Sequence, residues 1–403
     1  MASKATNLKP KPSRMSTRAS WPKVRFGDVV RDVKGSVDRE TTDLTRFIAG
    51  EHMGSEDLHL RTWGDINGDY LGPAFHRSFR KGQVLYGSRR TYLKKIAVAS
   101  FDGICANTTF VLESHDPGVL LPELLPFVML TDAFTQHSIR ESKGSINPYI
   151  NWKDIAKYEF SLPPKDEQRR IADILWAVDE AIELHKAGSL KASALLEAMR
   201  QDIFRQHLKI GTTSPLSDVG QWRSGGTPSR SNVDFWGGDF PWVSPKDMKV
   251  SEIQNSEEHL TPEGKSEASI VPCNAILFVI RGMILAHTFP VAITRREVAF
   301  NQDMKAIIAN DAFDPLYVYH WLQSHSMTIL GMVADSSHGT KRLPIESLLS
   351  LRIPVPDRKT QGEAVRLFQQ AVEASLRLKD HADSLRELKS RLMNELLAPG
   401  GTV

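Results

Sequence analysis

The chain has 403 residues, 41% of them hydrophobic and 25% charged, with a net charge of +3. Those are globular values, long enough for two or more domains. No run of about 18 apolar residues suits a membrane span, no apolar signal core opens the chain, and the two cysteines, Cys105 and Cys273, stand in no zinc spacing, so a cytoplasmic protein without membrane or structural metal is expected.

Taken in order, residues 1–20 are rich in Lys, Ser, Pro and Thr and read as a basic flexible tail. Lys4, Lys9, Lys11, Arg14, Arg18, Lys23 and Arg25 come with no acid, which leaves the rest of the chain at −4. Local patches, not total charge, must therefore carry any nucleic-acid argument. Residues 21–164 form a first mixed domain, with β-type runs such as KIAVAS (95–100) between turn residues and a short amphipathic helix over 121–136.

Residues 165–208 read as a long helix. From 166 to 207 there is no Pro and only Gly188. Ile171, Val178, His185, Ala192 and Met199 lie seven apart, and Leu175, Ile182, Ser189, Leu196 and Ile203 follow four residues on. This is a coiled-coil seam, on the order of 60 Å long at 1.5 Å per residue. His185, Gly188 and Ser189 make its middle a looser contact or a surface for a partner. Residues 209–356 form a second mixed domain, with AILFVI (275–280) and a helix over 314–330. Residues 357–403 form a second long helix, with Leu378, Leu385 and Leu392 seven apart and Leu388 and Leu396 beside them.

The second half repeats the first. IAKYEFSLPP (155–164) matches LLSLRIPVPD (348–357) at an offset of 193, and Gln168 matches Gln361 at the same offset. Upstream, FGDV (26–29) matches LSDV (216–219), and VLYGSR (84–89) matches ILFVIR (276–281). Gly144 and Gly339 sit in corresponding Gly-Ser and Gly-Thr turns. The fold class expected is α+β: two similar domains with two long antiparallel helices and a pseudo-two-fold internal repeat.

The residues fitted to hold DNA are basic and interleaved with aromatics. The stretch 75–95 carries Arg77, Arg80, Lys81, Arg89, Arg90, Lys94 and Lys95 with Phe75, Phe79, Tyr86 and Tyr92, and no acid. Such cations contact phosphates, and a bidentate Arg also reads guanine. In the second domain the Gly/Ser/Arg loop at 222–230 offers Arg223, Thr227 and Arg230, with Lys246, Lys249 and Arg281 adding charge. The turns before each helix, Lys143-Gly-Ser145 and His338-Gly-Thr340-Lys341-Arg342, have the small polar residues and cations to grip a backbone, or are simple turns.

Catalytic motifs are missing. Asn147-Pro148-Tyr149 lacks the second proline of an adenine methyltransferase motif, and no Phe-x-Gly-x-Gly accompanies it. Gly264-Lys265-Ser266 resembles the end of a phosphate-binding loop, but His259 stands where the earlier glycine is needed. Glu263-Gly264-Lys265 mimics a nuclease Glu-x-Lys without a usable Pro-Asp, and the thirteen histidines show no metal spacing. No residue is expected to be catalytic, and no cofactor or metal is expected.

Four segments together resemble the specificity subunits of type I restriction-modification systems. LPPKDEQRRIADIL (162–175) is similar to the start of that family's central conserved helix, and IPVPDRKTQGEAV (353–365) to its C-terminal copy. Residues 82–112 and 278–307 resemble the cores of two target-recognition domains. The second helix copy lacks the acidic residue before Gln361. The resemblance implies a non-catalytic subunit that binds double-stranded DNA, two methyltransferase subunits and, where present, nuclease-translocase subunits. It implies that each domain reads half of an asymmetric split site and that the helices set the gap. A coiled-coil scaffold and a stand-alone DNA-modifying enzyme are the competing readings.

Overall fold

The computed structural model describes residues 21–38, 41–68, 71–335 and 339–397. The basic tail, His338 and the last six residues lie outside that range. The chain divides into two units, residues 1–185 with 380–403, and residues 186–379. The division passes through both long helices, Lys165–Ile210 and Arg358–Leu397, so each unit holds the beginning of one helix and the end of the other.

The two units are built alike. In the first, Lys23–Arg25 pairs antiparallel with Glu159–Ser161; in the second, Thr212–Pro215 pairs antiparallel with Arg352–Val355. Each pair joins the first strand of a domain to the strand just before a long helix. The main sheet of the first unit runs Val30–Asp32, Thr109–Ser114, Val84–Gly87, Ile96–Val98, all antiparallel. That of the second runs Gly220–Ser224, Met304–Ala309, Ile276–Val279, Val291–Thr294, with Glu252–Ile253 added in parallel at the edge. The second sheet of each unit contains one parallel pair, Arg46–Ile48 with Gly103–Ala106 and Trp236–Val243 with Val298–Phe300. Ile276–Val279 is buried at every residue, as a strand covered on both faces requires.

The predicted short helices are each two pieces. Leu125–Leu130 and Asp132–Arg140 are divided at Thr131, whose hydroxyl accepts from Phe134 N at 3.3 Å and caps the second. Pro315–Ser324 and Ser326–Leu330 divide the other.

Within each unit the long helices run antiparallel. In the first, Asp179 meets Lys389 and His185 meets His381; in the second, Ser189 meets Ser375 and Phe204 meets Phe368. Ile171, Leu175, Ile182 and Leu196 are buried on the predicted seam. On the second helix the expectation needs correction at Leu388, which is 36% exposed; in the C-terminal half of that helix Ala382, Lys389, Met393 and Leu397 are the buried positions. Lys389 holds a core place because Asp179 neutralises it.

One contact repeats atom for atom. Gln168 Oε1 accepts from Leu121 N at 2.8 Å, while its Nε2 donates to the carbonyls of Val119 at 2.8 Å and Pro163 at 2.9 Å. Gln361 Oε1 accepts from Asp314 N at 2.8 Å, while its Nε2 donates to Ala312 at 2.8 Å and Pro356 at 2.9 Å. Every partner is displaced by the same 193 positions. A buried amide that satisfies three backbone groups fixes the start of each helix against its domain.

Candidate nucleic-acid interface

In the first unit the strand Val84–Gly87 ends at a turn that carries Arg89 and Arg90. Arg90 takes a left-handed backbone (φ 51°), and so does Lys94 (φ 46°), which closes a short turn over Thr91–Leu93. The hairpin before the helix is laid directly against this turn. Lys143 and Tyr149 exchange backbone bonds of 2.8 and 2.9 Å, and Gly144 supplies the positive φ that the reversal needs. Tyr149 in turn bridges Arg89, Arg90 N donates to Pro148 O at 2.7 Å, and Ile150 N donates to Ser88 O at 2.9 Å. Two groups of candidates more than fifty residues apart in sequence thus share one edge. A cleft of ≈ 320 Å³ lies beside them, lined by Arg89, Arg90, Lys95, Thr108 and Asn147 among others.

The side chains differ in freedom. Those of Arg89 and Arg90 are exposed and engage no hydrogen-bond or ion-pair partner among the described residues. Tyr92 is 53% exposed, and Ser145 is exposed on the hairpin. Lys143 approaches Asp154 at 3.6 Å. Lys94 is held by Glu56 at 2.9 Å and Asp132 at 3.0 Å; burial works against its charge, but the two carboxylates outweigh it and raise its pKa. Lys95 donates to Gly50 O.

Not all the predicted cluster lies here. Arg80 and Lys81 are exposed at the opposite end of Val84–Gly87. Arg77 is a correction: it is buried, paired with Asp32, and donates to Val33 O at 2.8 Å. Its strand alternates inward at that position, so this guanidinium braces the domain and does not face solvent.

The second unit repeats the junction with other chemistry. Arg281, after Ile276–Val279, bridges Arg342; Gly282 N donates to Lys341 O at 3.0 Å and Leu343 N to Ile280 O at 2.9 Å. Arg281 and Arg89 therefore occupy matching places between a central strand and the hairpin before a helix. Here the cations are tethered, Arg281 to Asp303 at 3.6 Å and Lys341 to Asp335 at 2.6 Å. Thr340 lies in the same turn, half-buried.

The Gly/Ser/Arg loop forms a separate surface in that unit. Arg230 stacks over Trp236 at 3.8 Å and Trp242 at 4.8 Å while paired with Glu258, an arrangement the sequence did not foreshadow. Thr227 donates to Gln302, whereas Arg223 and Lys246 are exposed.

The catalytic look-alikes are accounted for. Gly264-Lys265-Ser266 ends the short helix Pro262–Ser266, with Thr261 capping Gly264 N at 3.1 Å and Lys265 paired with Glu297 at 2.7 Å. A Cβ at Gly264 would meet Phe235 O at 2.1 Å, so that glycine is required by packing. Among the described residues Asp57, His59 and Glu183 could converge on a metal ion. Arg61 already bonds Asp57 at 2.9 Å and Glu183 at 2.7 Å, which supplies the positive charge there.

Residues 47–192 and 212–382 match the family described as the type I restriction modification DNA specificity domain. The chain belongs to that family. It is 34% identical over 156 residues to the EcoR124I/EcoR124II specificity subunit of Escherichia coli, a match covering 38% of this chain and 39% of that relative. It is 22% identical to the HindI specificity subunit of Haemophilus influenzae, over 94% of this chain and 99% of the relative. A solved structure described as showing complex assembly and conformational transition of the type I R-M system shares the fold, with a TM-score of 0.61 and 16% identity over 97% of this chain and 99% of that one. The family's duplicated plan is the one seen here, two sheet-rich domains each carried on long helices. Among the described residues no helix is long and apolar enough to cross a membrane.

Proposed function

We propose that this chain is the sequence-reading, non-catalytic subunit of a type I restriction-modification assembly. Residues 21–164 and 209–356 are its two recognition modules, and residues 165–208 and 357–403 are the helices that carry them. Double-stranded DNA is its ligand, and methyltransferase and nuclease-translocase subunits are its partners. The observation that carries the reading is the repeated junction of an arginine-bearing turn with the hairpin before each helix. A duplicated basic edge on two domains of different sequence suits a target with two unlike halves. In the first unit that edge combines free guanidinium groups with an exposed tyrosine and a cleft, which are the parts needed to hold phosphates and reach base edges.

The test is the salt dependence of DNA binding by the assembled complex. Replacing Arg89 and Arg90 together by alanine should flatten the log-log salt slope by about 0.9 for each phosphate that is no longer neutralised. Methylome sequencing of cells carrying the variant should show weaker modification at the native site. An unchanged slope with unchanged methylation would remove this edge from the interface. Methylation by the isolated chain, without a methyltransferase subunit, would overturn the non-catalytic reading.

A further inference from the structure

The hairpin that leads into the first long helix carries at its tip a side chain that the core does not use. Ile146 is 94% exposed, more than any other large hydrophobic residue described. A lone apolar residue on a surface is ordinary; the place of this one is not. It stands two residues after Gly144, inside the hairpin closed by Lys143 and Tyr149, beside the edge that carries Arg89 and Arg90. Asn147 follows it, also exposed, and lines the ≈ 320 Å³ cleft together with Arg89, Arg90, Thr108 and Thr109. Among the described residues the Asn147 amide engages no hydrogen-bond partner.

The tip is held in place on both sides. Lys143 and Tyr149 exchange their backbone bonds before and after it, and Pro148, whose ring fixes φ, accepts from Arg90 N at 2.7 Å. Isoleucine is branched at Cβ and has few side-chain rotamers to lose. Such a preformed tip gives up little conformational freedom when it meets a ligand. The pair belongs to the first unit alone: two and three residues after its own turn glycine, Gly339, the second unit has Lys341 and Arg342.

We propose that Ile146 and Asn147 read an A·T pair in the half-site bound by the first unit, Ile146 against the thymine methyl group and Asn147 on the adenine edge; this rests on the DNA-reading function proposed above. In the major groove the apolar group on a base edge is the C5-methyl of thymine, so an isoleucine that enters there has one kind of partner. A side-chain amide presents a donor beside an acceptor, which matches adenine N7 and its N6 amino group. Two adjacent residues thus carry both parts of the chemistry that marks an A·T pair. Arg89 and Arg90 next to them supply the phosphate contacts that position the tip.

The experiment uses the assembled complex and its native site, identified by methylome sequencing. Each thymine in turn is replaced by deoxyuridine, which removes the methyl group, and each adenine by 7-deazaadenine, which removes N7. At one A·T pair, in one half-site, uracil should weaken binding about fourfold, the factor for one buried methyl group. At the same pair 7-deazaadenine should weaken it about tenfold, as for a bidentate contact reduced to a single bond. Ile146→Ala should lose the uracil effect and keep the other, and Asn147→Ala should do the reverse. Both side chains are exposed, so neither variant disturbs the core. Uracil sensitivity that is the same in Ile146→Ala as in the wild type would overturn the proposal. So would its absence at every position of the wild-type site, the result expected of an apolar wedge entering from the minor groove. The paired Arg89→Ala and Arg90→Ala variant separates the two readings: a flattened salt slope there, with base sensitivities unaltered in the tip variants, removes the tip and leaves the DNA edge standing.

Discussion

In the first unit Asp179 lies between His59 Nε2 at 2.7 Å and Lys389 Nζ at 2.6 Å, all where the two long helices meet the recognition domain. Its counterpart in the second unit is Val372, which lines a cavity beside Arg200. The same backbone plan therefore closes its helix–domain contact in two ways, by an Asp179–His59–Lys389 network in one half and by Arg200 between His320 and Glu197 in the other. The junctions proposed to meet DNA differ in the opposite sense: among the described residues the Arg89 and Arg90 side chains engage no partner, while Arg281 and Lys341 are tethered to carboxylates. Duplication conserves the groups that hold the backbone, and the charges around them diverge.

The largest expected effect tests the buried network. Asp179→Ala leaves the Lys389 ammonium in the core without its partner, at a cost of about 3–5 kcal/mol by chemical denaturation. Val372→Ala at the matching position should cost about 1 kcal/mol. Adding Lys389→Met to the first variant should recover most of the loss; equal effects at the two positions would break the contrast. A smaller effect tests what the halves share. Gln168→Ala and Gln361→Ala each remove three hydrogen bonds and leave buried backbone groups unmet, for about 2–3 kcal/mol apiece. Losses that differ by more than about 1 kcal/mol would show that the repeated geometry hides unequal energetics.

The smallest effect is in pH, and its sign separates the halves. The hydrogen bond to Asp179 raises the pKa of His59 above 6.5, with nearby carboxylates adding to it against burial. Its contribution is present in full below 6.5 and is lost as pH rises through the folded value. In the second unit burial lowers His320 to about 3, and burial also lowers His207 and His325. Those contributions are present above 6.5 and are lost as pH falls through the folded values. Hydrogen exchange at about pH 5.5 and about pH 8, corrected for intrinsic rates, should show the second unit loosening on the acid side and the region around His59 on the basic side.

Periodicity in the sequence reached the long helices closely, because a heptad seam in a Pro-free stretch leaves few alternatives; the expected 166–207 compares with Lys165–Ile210. The repeat likewise located Arg89 and Arg281 at matching places. What stayed hidden depends on partners distant in the chain. Nothing local announces that Arg77 points inward, since Asp32 lies 45 residues away, or that Lys389 belongs in the core, since Asp179 lies 210 away. The heptad expectation favoured Leu388 over its neighbour for that reason.

The strand pairing that opens each half carries a further consequence. Lys23–Arg25 lies against Glu159–Ser161, and Trp21 shares one apolar cluster with Met393 and Leu397. The first described residue and the last helical one are thus anchored in the same core. A gene rearranged to begin near residue 212, with position 397 joined back to 21 through a short linker, would encode the same contacts in a new order. Circular permutants of that kind should assemble.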